Sequence, residues 1–193
     1  MKTSRFVIFT GLLLILSLPT QAHTGIGAVH GLIDGLIHTI TGVNHLLVML
    51  GIGLWASMRG GQALWLFPMV FLMAMSVGAA LHFAGFTVTA AESWVAFSVF
   101  AAGVLVWRNT PMSSALAVAV VAVFALANGY THAAELANGT DALAYSAGFL
   151  LMTALLLGLG VAVGLSAANG LKMIGAGFGL LCTVVGAALL VGV

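Results

Sequence analysis

The stretch LIDGLIHTITGVNHLLVMLGIGLWAS, residues 32–57, decides how this chain folds. It holds one acid, Asp34, and no Lys or Arg, and its apolar residues far outnumber its polar ones. About 20 apolar residues in a helix cross the hydrocarbon core of a bilayer, so this run is long enough to span a membrane. Two histidines interrupt it, His38 and His45, with Asn44 beside the second. Intramembrane polar side chains are costly and usually line a pathway or a site. The run therefore raises a question of fold and one of function together.

The rest of the chain answers the first. Of its residues 62% are hydrophobic and 5% charged, with a mean hydropathy of +1.23. Soluble domains carry about 25% charged residues, so the composition places the chain in the membrane. Five further apolar runs follow, at 63–83, 91–108, 112–130, 142–167 and 171–193. Arg59-Gly60-Gly61, the segment 82–92, Arg108 to Pro111, the segment 131–141 and Ala168-Asn169-Gly170 separate them, and these are turn formers or charges. The expected fold is an all-α integral membrane protein, a bundle of six transmembrane helices over residues 23–193.

Residues 1–22 read as a cleaved signal peptide. Lys2 and Arg5 form a basic start, residues 6–18 are apolar, Pro19 breaks the helix, and Thr20 and Ala22 are small residues before the cut. Cleavage would leave His23 as the new terminus outside an inner (cell) membrane. The three remaining basic residues, Arg59, Arg108 and Lys172, then fall in cytoplasmic connections, as the positive-inside rule requires. Six crossings return the C-terminus to the outside. All six histidines (His23, His30, His38, His45, His82 and His132) and the four acids fall toward the outer half. A protein that collects a cation outside would be built so.

On one straight helix at about 100° per residue, His30, Asp34, His38, Thr41 and His45 share a stripe about 80° wide. Imidazoles with a carboxylate suit a borderline divalent ion such as Ni²⁺, Zn²⁺ or Cu²⁺. His38 and His45 lie about 10 Å apart along such a helix. They share one ion only if the helix breaks, with Gly42 the place for it; otherwise they mark successive stations. A plainer role for any one of them is a hydrogen bond between helices. A second group, Asn128, His132 and Glu135, occupies one helical face at i, i+4 and i+7. The plainer reading there is a polar loop at the membrane surface.

Other features point to packing. Met69, Met73 and Met75 are soft donors that suit Cu(I), yet in an apolar helix methionine more often fills space. Trp55, Trp65, Trp94 and Trp107 fall near helix ends, as interfacial belts do. Cys182 alone excludes an internal disulfide or a cysteine zinc site. Gly53, Gly158, Gly160, Gly164, Gly175 and Gly179 supply small-xxx-small spacings for close helix approach, including a homo-oligomer. The net charge of +1 offers nothing to nucleic acid. Neither a Gly-x-Ser-x-Gly nor a His-Glu-x-x-His is present, nor an ATP-binding motif, so no enzyme is expected.

Taken together, His-Thr-Gly at 23–25, His-x-x-x-Gly-x-x-His-Leu-Leu at 38–47 and Gly-x-Trp-Ala at 53–56 resemble the HupE/UreJ family. That family's first pattern is His-Pro-x-x-Gly-x-Asp-His. His38, Gly42 and His45 match it, while Thr39 stands for Pro and Asn44 for Asp. Its second pattern is His-Gly-x-Ala-His-Gly-x-Glu. Gly129, His132 and Glu135 match it, while Asn128, Thr131 and Ala133 depart. Ala-x-x-Tyr-x-x-Gly-Phe at 142–149 is similar as well.

The resemblance implies a small membrane permease for nickel, sometimes cobalt, tied to hydrogenase or urease maturation. It implies no prosthetic group. The metal ligands expected are His38, His45, His132, Glu135, Asp34, Asn44, Asn128, His23 and His30. Asn at 44 and 128 keeps a carbonyl oxygen but is a weaker Ni²⁺ ligand than Asp or His, and Asp34 could supply a compensating carboxylate. The alternatives are a non-transporting metal sensor or metalloenzyme assembly factor, and a haem-binding membrane subunit with axial histidines.

Overall fold

The computed structural model describes residues 31–136, 141–167 and 170–192. These fold into seven helices: α1 Leu32–Thr41, α2 Val43–Arg59, α3 Ala63–Phe83, α4 Ala91–Arg108, α5 Ser114–Ala134, α6 Ala142–Ser166 and α7 Leu171–Val191. The signal-peptide region 1–22, His23 and His30 lie outside the described residues. Five helices, α3 to α7, are long and apolar enough to cross a membrane, and the pair α1–α2 makes a sixth if taken as one broken span. Lipid offers backbone groups no partner, so they bond within each helix. The chain is an all-α, multi-pass membrane protein.

Of the two possibilities for residues 32–57, a straight helix or one broken at Gly42, the structure has the break. The chain bends by 82° between α1 and α2. Gly42 sits at the bend in extended conformation, with φ −77° and ψ 100°. The carbonyls that the break would orphan are taken up locally. Thr41 Oγ1 donates to the oxygens of Ile37 and His38, and Gly42 N donates to His38 O at 3.1 Å. The fifth helix also differs from its sequence run of 112–130. It starts at the Ser113 cap, whose hydroxyl accepts from Leu116 N, and continues to Ala134, so His132 is helical rather than in a loop.

Helix α2 is the axis of the bundle. It packs against α1, α3, α4, α6 and α7, and eleven of its residues are buried. The surrounding helices turn large apolar residues outward, among them Met73, Val77, Leu151, Leu155 and Leu180, as a lipid face requires. Lipid is as apolar as a leucine side chain, so these helices associate by close packing. Glycines stand at the crossings. A Cβ on Gly53 of α2 would strike the backbone of Leu157 on α6, and one on Gly160 of α6 would strike Leu50 on α2. Gly78 and Gly129 do the same for α3 and α5, and Gly103 and Gly179 for α4 and α7. Gly158 departs from the sequence expectation, since it faces nothing within 4 Å.

Three further expectations are settled by burial. Trp55 is no interfacial anchor. It is fully buried, 5.0 Å from the Phe67 ring, with the Arg59 guanidinium 5.9 Å above it. Trp65, Trp94 and Trp107 are exposed near helix ends. Met75 is fully buried and Met69 and Met73 face outward, so the three methionines form no common site. Cys182 is buried in the apolar core, as packing requires.

Candidate metal centre

The bend at Gly42 changes what the two histidines of the first span can do. On a straight helix they would stand about 10 Å apart along the axis. Here their ring centroids are 6.2 Å apart. The choice of glycine follows from packing rather than from its dihedral freedom. A Cβ at position 42 would lie 2.7 Å from His45 Cδ2, so only glycine leaves room for the ring to fold back over the break.

The last turn of α5 meets this corner. His132 brings its ring centroid to 3.9 Å from that of His45 and 5.1 Å from that of His38. Glu135, one turn on at the C-terminal cap of α5, places Oε2 2.7 Å from His38 Nε2 and 3.9 Å from His45 Nε2. Ligand atoms from His38, His45, His132 and Glu135 all lie within 4.8 Å of one another. The bundle thus gathers four side chains from three helix ends, with His38 and Glu135 97 residues apart in sequence.

His132 has no access to solvent. Its ring is stacked on Phe149 at 5.1 Å and 10°, and lies at 31° to that of His45. Neither Nδ1 nor Nε2 has a hydrogen-bond partner among the described residues. A neutral imidazole carries one donor and one acceptor, and leaving both unmade in a buried place costs about 1–3 kcal/mol each. A divalent ion bound by a ring nitrogen would recover part of that cost. Three imidazoles and one carboxylate form a mixed nitrogen–oxygen set that suits Ni²⁺, Zn²⁺ or Cu²⁺ and offers no soft sulfur.

The other expected ligands are placed elsewhere. Asp34 stays outside the four-residue group. Asn44 uses Oδ1 on the backbone, accepting from His45 N at 2.9 Å within the first turn of α2. Asn128 lies behind His45, and its Oδ1 accepts from His45 Nδ1 at 2.9 Å. The bend divides the expected polar stripe, with Asp34, His38 and Thr41 on α1 and His45 on α2. His82 is in a separate place, edge-on to Tyr130 at 5.2 Å. The Tyr130 hydroxyl donates to Phe86 O and accepts from Val88 N, which ties down the connection between α3 and α4.

Sequence reasoning missed three residues of the site. Tyr145 and Phe149 flank the histidines from α6, with Tyr145 5.9 Å from His38. The Tyr145 hydroxyl is buried without a hydrogen-bond partner among the described residues. Their i, i+4 spacing around Gly148, whose missing side chain lets α1 press against α6 at Leu32, was the available signal. Ser98 of α4 is the third, and no motif marks it. Beyond Glu135 a cavity of about 550 Å³ opens at the bundle end, lined by Glu92, Ser93, Thr131 and Glu135 with three alanines.

Comparison with known proteins places the chain in a family. The family model described as "HupE / UreJ protein" matches residues 11–189. Protein HupE of Rhizobium leguminosarum bv. viciae is 36% identical over 156 residues, covering 79% of this chain and 82% of its own length. No solved structure matches the chain. A match that runs through nearly the whole chain, both histidine motifs included, shows that the chain belongs to the HupE/UreJ family.

Proposed function

We propose that this protein is a permease for a divalent transition-metal ion, nickel foremost and cobalt next, with His38, His45, His132 and Glu135 as its capture site. The observation that carries the reading is His132. Two buried ring nitrogens without partners, set 3.9 Å from a second imidazole ring and beside a carboxylate, make little sense as packing alone. The family resemblance supplies the cargo, since nickel serves hydrogenase and urease maturation. The ion is substrate here, not a resident cofactor.

In this reading a hydrated cation enters by the cavity that Glu92 and Glu135 border. At the cluster the ion takes the place of the proton in the His38 Nε2–Glu135 Oε2 hydrogen bond, that proton leaves to water through the entry cavity, and both groups turn to the ion. His45 and His132 complete the set, and water is shed in stages. Charge distribution supports an outer site. Arg59 and Arg108 end α2 and α4, and Lys172 begins α7, all at the end of the bundle away from the cluster. By the positive-inside rule that end is cytoplasmic, so the cluster faces out across the inner membrane.

One observation favours a second reading. Inward from His132 the bundle is filled by fully buried Phe149, Met75, Phe71, Leu157, Ile52 and Trp55. A permease must open this plug, whereas a non-transporting metal sensor or assembly factor would not. Purified protein in liposomes separates the two. A permease takes up external Ni²⁺ into the lumen in a saturable way that His132→Phe abolishes. A holding protein binds Ni²⁺ stoichiometrically and shows no lumenal accumulation.

A further inference from the structure

We propose that Asn128 is a positioning residue of the metal centre: it sets the tautomer of His45, so that Nε2 presents a lone pair to the ion. This deepens the permease reading and rests on it for the identity of the cargo, but the tautomer itself is a property of the chain.

The argument follows the hydrogens. The Ser98 hydroxyl donates to Val95 O at 2.7 Å, which leaves its oxygen as an acceptor. Asn128 Nδ2 donates one hydrogen to that Ser98 oxygen at 3.3 Å and the other to Phe124 O at 2.8 Å. Both amide hydrogens are therefore used, and the amide has one orientation. Turned over, its Oδ1 would face the Phe124 carbonyl and the Ser98 oxygen, acceptor against acceptor. In the observed orientation Oδ1 faces His45 Nδ1 at 2.9 Å. Carbonyl oxygen only accepts, so the proton of the neutral imidazole resides on Nδ1. Nε2 is left bare, and it points to Glu135 Oε2 at 3.9 Å, beyond hydrogen-bond reach.

Burial makes the chain of bonds firm. Asn128 and Ser98 have no solvent access and His45 is 2% exposed, so water cannot replace a member. The three residues come from α5, α4 and α2, and together they fix the ring plane of His45 as well as its proton. Metal-bound histidines commonly bond their second nitrogen in this way, and losing the partner costs about 10–100-fold in metal affinity. The residue read from the sequence as a weak ligand is thus better placed to orient a strong one.

The test uses the full chain, purified in detergent with ¹⁵N-labelled histidine, and His45→Gln to assign the signals. In the wild type, His45 is expected with Nδ1 protonated and Nε2 bare before any metal is added. Asn128→Ala is expected to give mixed tautomers and a Ni²⁺ affinity about 10–100-fold weaker. Ser98→Ala, a smaller change that preserves folding, gives a partial shift in the same direction. A wild-type His45 protonated on Nε2 would overturn the proposal, as would Asn128→Ala with an unchanged tautomer. The expected tautomer in a protein that binds no Ni²⁺ would leave this assignment standing and overturn the permease reading instead.

Discussion

The two ends of α2 solve the same problem in opposite ways. At its C-terminal end Trp55 is buried against Phe67, Arg59 lies over the indole, and Arg59 Nη2 donates to Met112 O at 2.9 Å. Apolar surface is packed there, and the Arg59 charge is partnered within the chain. At its N-terminal end the helix is broken, three imidazoles and a carboxylate converge, and His132 is buried with both ring nitrogens unpartnered among the described residues. One end is complete as it stands. The other leaves buried imidazole nitrogens unpartnered among the described residues, as the proposed metal site would. A fold held by close apolar packing can carry one such end, because the rest of α2 keeps the break in place.

That contrast can be broken by substitution. The largest effect is expected at His132. His132→Phe keeps a ring to stack on Phe149 and removes the two orphaned nitrogens. Nickel binding, measured by calorimetry on the purified protein, should disappear, while thermal stability without added metal holds or rises. A fall in stability instead would mean that the ring nitrogens are satisfied within the protein. Trp55→Ala tests the other end. It should lower stability by about 3–5 kcal/mol, as loss of a large buried aromatic does, and leave nickel affinity as it was.

Two smaller effects sharpen the comparison. Gly42→Ala places a methyl group against His45 Cδ2 and should weaken nickel binding by about tenfold, with the helix content by circular dichroism unchanged. Glu92→Gln, at the mouth of the outer cavity, should lower uptake about twofold at limiting metal and low salt, with no effect at saturating metal. Equal loss at all metal concentrations would place Glu92 in the site rather than at its entrance.

Much of this was legible in the sequence, and what was hidden has a common cause. Apolar runs bounded by Arg59-Gly60-Gly61 or by Arg108 to Pro111 report helices directly, because lipid forces the backbone to close on itself. The motifs around His38 and His132 report polar atoms in costly places. Hydropathy says nothing about which partner a residue meets. Trp55 and Trp65 look alike in sequence, yet one is in the core and the other at the surface. Asn128 reads as a ligand on the face of His132 and Glu135, and only the crossing of α4, α5 and α2 turns its oxygen to His45 Nδ1. Ser98 is one serine in an apolar run, and its part depends wholly on tertiary contact. Gly42 could be named as the place for a break, but not the 82° that makes a site of it.

The most direct test is nickel flux. Proteoliposomes carrying the purified wild-type protein or His132→Phe, matched for insertion, are given external radioactive Ni²⁺ and assayed for lumenal counts. The wild type is predicted to accumulate the ion to saturation and His132→Phe to match empty liposomes. Equal accumulation by the two proteins, or none by the wild type, would contradict the account.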